Sequence, residues 1–313
     1  MWAYIIRRIL ATIPVMLVVA VVVFLLLRLS PGDPAAIIAG DQATSHDIEQ
    51  IRIRLGLDKP LVVQFLQWLW SLLQGDLGTS VFNNRPVLDL IGQRLEPTIS
   101  LAILTMLFAI VVAIPLGVIA AWKVGTWIDR AIMTFAVVGF SFPVFLVGYL
   151  LVFGFALEWR FLPVQGYSEM ASGFVPFIRH LILPSVALGL VYTALLARMT
   201  RSTMIEVLNE DYIRTARAKG LGMDAVLLSH ALKNAAVPIV TTIGVGIALL
   251  IGGVVVTESV FAIPGIGRLT IDAVLQRDYP VIQGVILVVS FIYVMINLAI
   301  DLSYTLLDPR VRY

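Results

Sequence analysis

Among the side chains able to do chemistry, Arg214, Arg217, Lys219 and Lys233 are the densest group in the second half of the chain. They lie in NEDYIRTARAKGLGMDAVLLSHALKNAAVP, Asn209 to Pro238, a polar interruption between two apolar stretches. Arg214 and Arg217 stand one helical turn apart, and a guanidinium offers a planar fork that pairs with carboxylates. The chemistry on offer is recognition of acidic groups on a partner rather than bond making. Asp211 to Lys219 holds good helix formers and no breaker, and Ile213, Ala216 and Gly220 share a face small enough for another backbone to approach. Gly220-Leu221-Gly222 predicts a turn, because glycine tolerates positive φ. Asp224 is the expected N-cap of a second helix over Ala225 to Asn234, and Pro238 suits the first turn of the apolar stretch that follows. From these residues alone, a rigid docking knob and a solvated connection are both open.

Catalytic chemistry finds little support elsewhere. The chain has no cysteine, which excludes disulfides, thiolate metal sites and a cysteine nucleophile. His46, His180 and His230 are far apart and make no metal-ligand spacing. No G-x-x-x-x-G-K-[ST], H-E-x-x-H, G-x-S-x-G or G-x-G-x-x-G occurs, so the chain has no phosphate-cradling loop of its own. Asp301 is the one clearly ionisable residue at membrane depth, with Glu258 near the outer end of its span; an ion-driven transporter usually needs more buried acids.

The elements that position these residues are membrane spans. With 59% hydrophobic and 13% charged residues and a mean hydropathy of +0.96, the composition is that of an integral membrane protein. The net charge of +2, with scattered basic residues, points to no nucleic-acid partner. Residues 1–29 form a short tail and a first span, too long in its apolar run for a signal peptide. Residues 30–97 are the least membrane-like and predict a small subdomain on the far side. Within it, LVVQFLQWLWSLLQ, Leu61 to Gln74, places Gln64, Gln67, Ser71 and Gln74 on one narrow stripe of a helix too short to span. Trp68 and Trp70 suit an interfacial position, so this helix is expected at the membrane surface or packed on the bundle.

Residues 98–313 predict five more spans: Thr98 to Ala121, Ala131 to Leu157, Leu181 to Ala197, Val237 to Phe261 and Val281 to Leu307. Loops are expected over Glu158 to His180 and Ala262 to Pro280. Six spans put both termini on one side. The bias of Lys and Arg over the short connections makes that side the cytoplasm.

The polar stretch resembles the cytoplasmic EAA loop of permease subunits of type I ABC importers. In that family the pattern is E-A-A, three residues, glycine, nine residues, then I-x-L-P. Here Arg214, Thr215 and Ala216 stand at the E-A-A positions and His230 to Lys233 at I-x-L-P, so Gly220, Ala216 and Leu232 match. The glutamate, isoleucine and proline are absent. RTARAKG and HALKNA look like the dipeptide, oligopeptide and nickel branch. So do PGDP at Pro31 to Pro34, GDLGTS at Gly75 to Ser80, PGIGRL at Pro264 to Leu269, RDYPVIQG at Arg277 to Gly284 and the closing DPRVRY. The resemblance covers the whole chain.

What the resemblance implies is an all-α bacterial inner-membrane protein, six transmembrane helices of the type I permease fold, with an extracytoplasmic subdomain between the first two. The loop 209–236 would dock on an ATPase through Arg214, Thr215, Ala216, Arg217, Ala218, Lys219, Gly220, Leu221, Gly222 and Asp224. A second homologous permease, two ABC ATPases and an extracytoplasmic substrate-binding protein would be the partners beside membrane lipid. ATP and magnesium would be held by those ATPases and no cofactor or metal by this chain. Ser141, Tyr192, Thr193 and Glu258 are candidates for the translocation path, since they sit in or beside spans that pair in the family. Dipeptides or oligopeptides are the expected cargo, with glutathione or a nickel complex as alternatives. A secondary transporter and a non-transporting scaffold are the readings from other classes.

Overall fold

The computed structural model describes residues 2–29, 35–36, 44–54 and 58–307. SPGDP at Ser30 to Pro34 and DPRVRY at Asp308 to Tyr313 lie outside the described residues. Among the described residues the chain is helical, with a single isolated bridge between Thr79 and Pro86. It divides into two compact units, Met1–Arg94 with Leu269–Met295 and Leu95–Arg268 with Ile296–Tyr313. Five helices are long and apolar enough to cross a membrane, and a bent pair supplies a sixth span if its halves count as one.

In the first unit, α1 (Trp2–Leu29) carries the span Ile6–Leu26. Short helices α2 (Ser45–Arg54) and α3 (Leu61–Leu73) follow. Two stretches distant in sequence are latched here. Ser80 Oγ donates to Asp278 Oδ2 at 2.5 Å, the Val81 amide donates to Oδ1 at 3.3 Å, and Ser80 Oγ accepts from the Asn83 amide. Asp278 is 2% exposed, so GDLGTS and RDYPVIQG meet through a buried carboxylate that is fully supplied with donors.

In the second unit, α4 (Val87–Trp122, begun in the first unit) and α7 (Phe174–Leu208) are longer than the sequence predicts. Helix formers in VLDLIGQRLE carry α4 through Pro97, and α7 begins inside the stretch expected as loop. At 1.5 Å per residue α7 is roughly 50 Å long against a hydrocarbon core of about 30 Å, so it extends well out of the bilayer. The expected span Ala131 to Leu157 is broken. α5 (Trp127–Ser141) and α6 (Val144–Leu151, continued as a π-helix by Val152–Glu158) meet at 101°. Phe142 takes ψ 134° because a residue before proline is pushed out of the helical region.

α8 (Asp211–Ala218) and α9 (Met223–Ala225) lead through a π-helical turn, Val226–Leu232, into α10 (Lys233–Val260). The expected loop Ala262 to Pro280 contains a helix, α11 (Ile266–Gln276), before α12 (Tyr279–Leu307). The main core is built from Leu101 and Ala109 of α4, Ala156 after α6, Leu181, Leu188 and Leu196 of α7, and Leu250 and Val254 of α10. Small residues set its tightness: a Cβ at Gly117 would fall 2.6 Å from the Thr200 Cβ.

Candidate functional site

The polar stretch folds as two helices around a glycine turn, seated on its own bundle. Ile213 is 0% exposed and Ala216 7%. They share a cluster with Val118 and Ala121 of α4, Met204 of α7, Val226, Leu227 and Ala231 of the π turn, and Ala235 and Ile239 of α10. The small-residue face expected to admit another backbone is therefore filled by the chain's own core, and Gly220 is not part of it. Gly220 is exposed, has φ +77° and has nothing within 4 Å of where a Cβ would sit. It closes α8 in the left-handed conformation, its amide donating to the Arg217 carbonyl at 3.0 Å.

The opposite side of α8 is open. Arg214, Thr215, Arg217, Ala218 and Lys219 are exposed, as are Leu221, Gly222 and Asp224. Arg214 reaches Asp211 at 3.3 Å, but with both side chains mostly in solvent such a pair contributes about 0–1 kcal/mol. Its guanidinium is held only weakly. The Tyr212 phenol is pushed above its ordinary value by burial and then by the charge of Glu210.

Two expectations for the second limb are corrected. The N-cap position belongs to Gly222, φ −64°, and Asp224 lies inside the first turn, where its charge favours the positive end of the helix. The limb does not stop at Asn234. It runs on into α10, with Pro238 inside that helix rather than in its first turn, and the Pro238 carbonyl accepts from Thr242 Oγ1 at 2.9 Å.

Sequence reasoning missed a brace beside the knob. Arg201 donates from Nε to Asp129 Oδ1 at 2.5 Å and from Nη2 to Oδ2 at 2.8 Å, and the Gly125 amide adds a third donor at 3.0 Å. Asp129 is 4% exposed. The fork joins the first turn of α5 to α7 one turn before Met204 of the knob's cluster. Thr126-x-x-Asp129 resembles a capping box and was the available signal, though the carboxylate serves Gly125 and Arg201 instead.

The four path candidates do not form one lining. Ser141 stands exposed at the α5–α6 break, its hydroxyl donating to the Val137 carbonyl at 2.8 Å. Tyr192, 7% exposed, packs in the main core against Gly246. Thr193 is 1% exposed, and its hydroxyl finds no hydrogen-bond partner among the described residues. Glu258 is 0% exposed: Oε1 accepts from Thr98 Oγ1 at 2.6 Å and Oε2 from the Arg268 amide at 3.0 Å. Thr98 Oγ1 in turn accepts from the Ile266 amide at 2.8 Å. A Cβ at Gly265 would lie 1.9 Å from Glu258 Oε1, so only glycine lets the loop close on this carboxylate. Glu258 thus clasps PGIGRL to Thr98 of α4 and to the C-terminal end of α10.

Comparison with known proteins agrees with this architecture. Residues 113–313 match the family described as binding-protein-dependent transport system inner membrane component, and residues 1–102 match its N-terminal membrane component. A probable peptide ABC transporter permease of Sinorhizobium fredii is 55% identical over 313 residues, 100% of both chains. A putative peptide transport system permease of Brucella abortus is 48% identical over 313 residues, again 100% of both. A glutathione transport system permease of Escherichia coli is 45% identical over 310 residues, 99% of each. An inward-facing structure of the MetNI methionine ABC transporter aligns with TM-score 0.59 at 17% identity, over 71% of this chain and 97% of that one, a likeness of fold. The all-helical, multi-span fold is that of type I ABC importer permeases. With family matches over nearly its whole length, the chain belongs to the inner-membrane permease components of binding-protein-dependent ABC transport systems, subunits that work with a separate ATPase and a substrate-binding protein.

Proposed function

We propose that this chain is one of two paired permeases enclosing the pathway of an ATP-driven peptide importer, with both termini and the loop 209–236 in the cytoplasm. The full-length likeness to peptide permeases at 55% and 48% identity supports the cargo, and the 45% likeness to a glutathione permease supports glutathione, itself a small peptide, as the second reading. The observation that carries the coupling role is the two-sided helix α8. Ile213 and Ala216 weld it to the ends of α4, α7 and α10, while Arg214, Arg217 and Lys219 face outward.

An ATPase that grips the outward side of α8 moves three spans together, because the inward side is packed without slack. Closure of two ATPases on ATP and magnesium favours one packing of the paired permeases over the other, and hydrolysis releases it; the shift is limited by the differential affinity of ATP for the closed pair. Charge on the open side of α8 selects an acidic groove. Ser141, Tyr192 and Thr193 are kept as residues of spans that rearrange in this cycle, and Glu258 as the residue that holds the outer loop.

The test is uptake of a labelled dipeptide by liposomes containing both permeases, the ATPases and the binding protein. Arg214→Glu with Arg217→Glu is expected to cut ATP-driven uptake about tenfold or more, a change of 1.4 kcal/mol or greater in coupling, while the protein still inserts and purifies. Uptake at the unaltered rate removes α8 as the coupling element. Uptake by this chain alone on an ion gradient removes the importer reading, and glutathione outcompeting dipeptides reassigns the cargo.

A further inference from the structure

Helix α3 has three sides, and the transport cycle explains none of them. Its inward side is Phe65, Trp68 and Leu72. The Phe65 ring meets Phe24 of α1 edge-on with centroids 5.2 Å apart, and Trp68 lies 5.6 Å from the same ring. Trp68 and Leu72 also pack against a cluster of Ala20 and Val23 of α1 and Leu287 of α12. The polar edge is Gln64 and Gln67, and it is satisfied by the segment leading into the helix. Gln64 Nε2 donates to the Lys59 carbonyl at 2.8 Å, and Lys59 Nζ donates to Gln67 Oε1 at 3.2 Å. The third side is Val62, Leu66, Trp70 and Leu73, which recur every three to four residues and are 69%, 57%, 63% and 72% exposed. No acidic or basic residue occurs from Leu61 to Leu73.

Depth identifies what covers that side. The α1 residues in this contact, Ala20, Val23 and Phe24, lie inside the apolar span Ile6–Leu26. Helix α3 therefore lies alongside the hydrocarbon-crossing part of α1 instead of standing clear of it. Helix α1 exposes Val15, Val18, Val22 and Leu26, and the bare side of α3 adds to that apolar surface. A 13-residue helix is too short to cross, since about 20 residues are needed. Its bare side offers one donor, the Trp70 indole, and no side-chain acceptor, whereas a protein interface carries about one hydrogen bond per 100–200 Å². Tryptophan is at home at the boundary between chains and headgroups.

We propose that α3 is an interfacial helix sunk into the leaflet at the C-terminal end of α1, with Val62, Leu66, Trp70 and Leu73 solvated by lipid acyl chains. Its polar edge is turned to the Lys59 segment, which leaves only apolar side chains and the Trp70 indole on the lipid side. Which leaflet this is rests on the orientation proposed above; the lipid contact does not.

The absence of cysteine makes the test clean. Val62, Leu66 and Leu73 are replaced one at a time by cysteine and spin-labelled in the complete transporter, reconstituted in phosphatidylcholine liposomes. Asn83→Cys, at an exposed turn, is the aqueous reference. All three α3 labels are expected to collide with oxygen several-fold more than with a water-soluble nickel chelate, the reverse of the reference. Labels that prefer the chelate place the side in water and overturn the proposal. Labels shielded from both reagents place it under a protein partner and overturn it equally. If the labelled variants do not assemble, the unlabelled transporter decides: brominated lipid is expected to quench emission that is missing in Trp70→Phe, and equal quenching in both proteins overturns the proposal.

Discussion

Asp129 and Glu258 are both buried acids, and each is supplied with donors in its own way. Asp129 takes a bidentate fork from Arg201, so removing the arginine strands a nearly buried charge with one amide for company. Arg201→Met is expected to destabilise the protein by about 3 kcal/mol, the low end for a broken buried pair because Arg201 keeps some exposure. Thermal unfolding in detergent checks it, and adding Asp129→Asn should recover part of the loss. Glu258 accepts from the Thr98 hydroxyl and from the Arg268 main-chain amide. Tyr167 donates to Glu96 at 2.9 Å, and burial, with the Glu96 bond next, pushes its phenol up to about 12. A raised folded value means the contribution is fully present below the ordinary value of 10.0 and lost as pH rises through about 12. The stability difference between the native protein and Tyr167→Phe, about 0.5–1.5 kcal/mol for one hydrogen bond, should hold steady to pH 10 and shrink above it.

At the scale of elements, the knob depends on one glycine and not on its neighbour. Gly220 has φ +77°, where an L side chain costs about 1–2 kcal/mol, while Gly222 has φ −64° and open space around it. Gly220→Ala should therefore slacken the turn and lower ATP-coupled uptake, whereas Gly222→Ala should leave it unchanged. Equal effects from both would mean that the turn conformation is not what positions α8. The π-helical turn Val226–Leu232 that follows keeps the second limb continuous with α10, so the proposed coupling through α8 would run through helix and not through slack chain.

For the whole molecule, the sidedness proposed from Lys and Arg has a direct measurement. A cysteine at Lys219 is expected to react with an impermeant maleimide only after spheroplasts are opened, and one at Asn83 to react in intact spheroplasts. Reaction in the opposite order inverts the topology and with it the partner of α8. The family's motifs outside the knob also find places at this scale. GDLGTS and RDYPVIQG are joined by the Ser80–Asp278 latch in one unit, and PGIGRL is closed by Glu258 in the other. In PGIGRL a buried carboxylate leaves room for glycine only, as Gly265 shows against Glu258.

The sequence by itself determined the membrane class, the order of the apolar stretches, the knob and its glycine turn. These follow from local quantities: hydropathy over a span length, helix formers between breakers, and the positive φ that glycine takes at least cost. Only the tertiary structure decided that the small face of α8 is spent on its own bundle and that Phe142-Pro143 turns a span through 101°. Arg201 finding Asp129, and Thr98 finding Glu258, were likewise beyond the sequence. Those pairs lie 72 and 160 residues apart. Nothing in either local stretch names its partner, because a buried charge is matched by whatever the folded chain brings beside it.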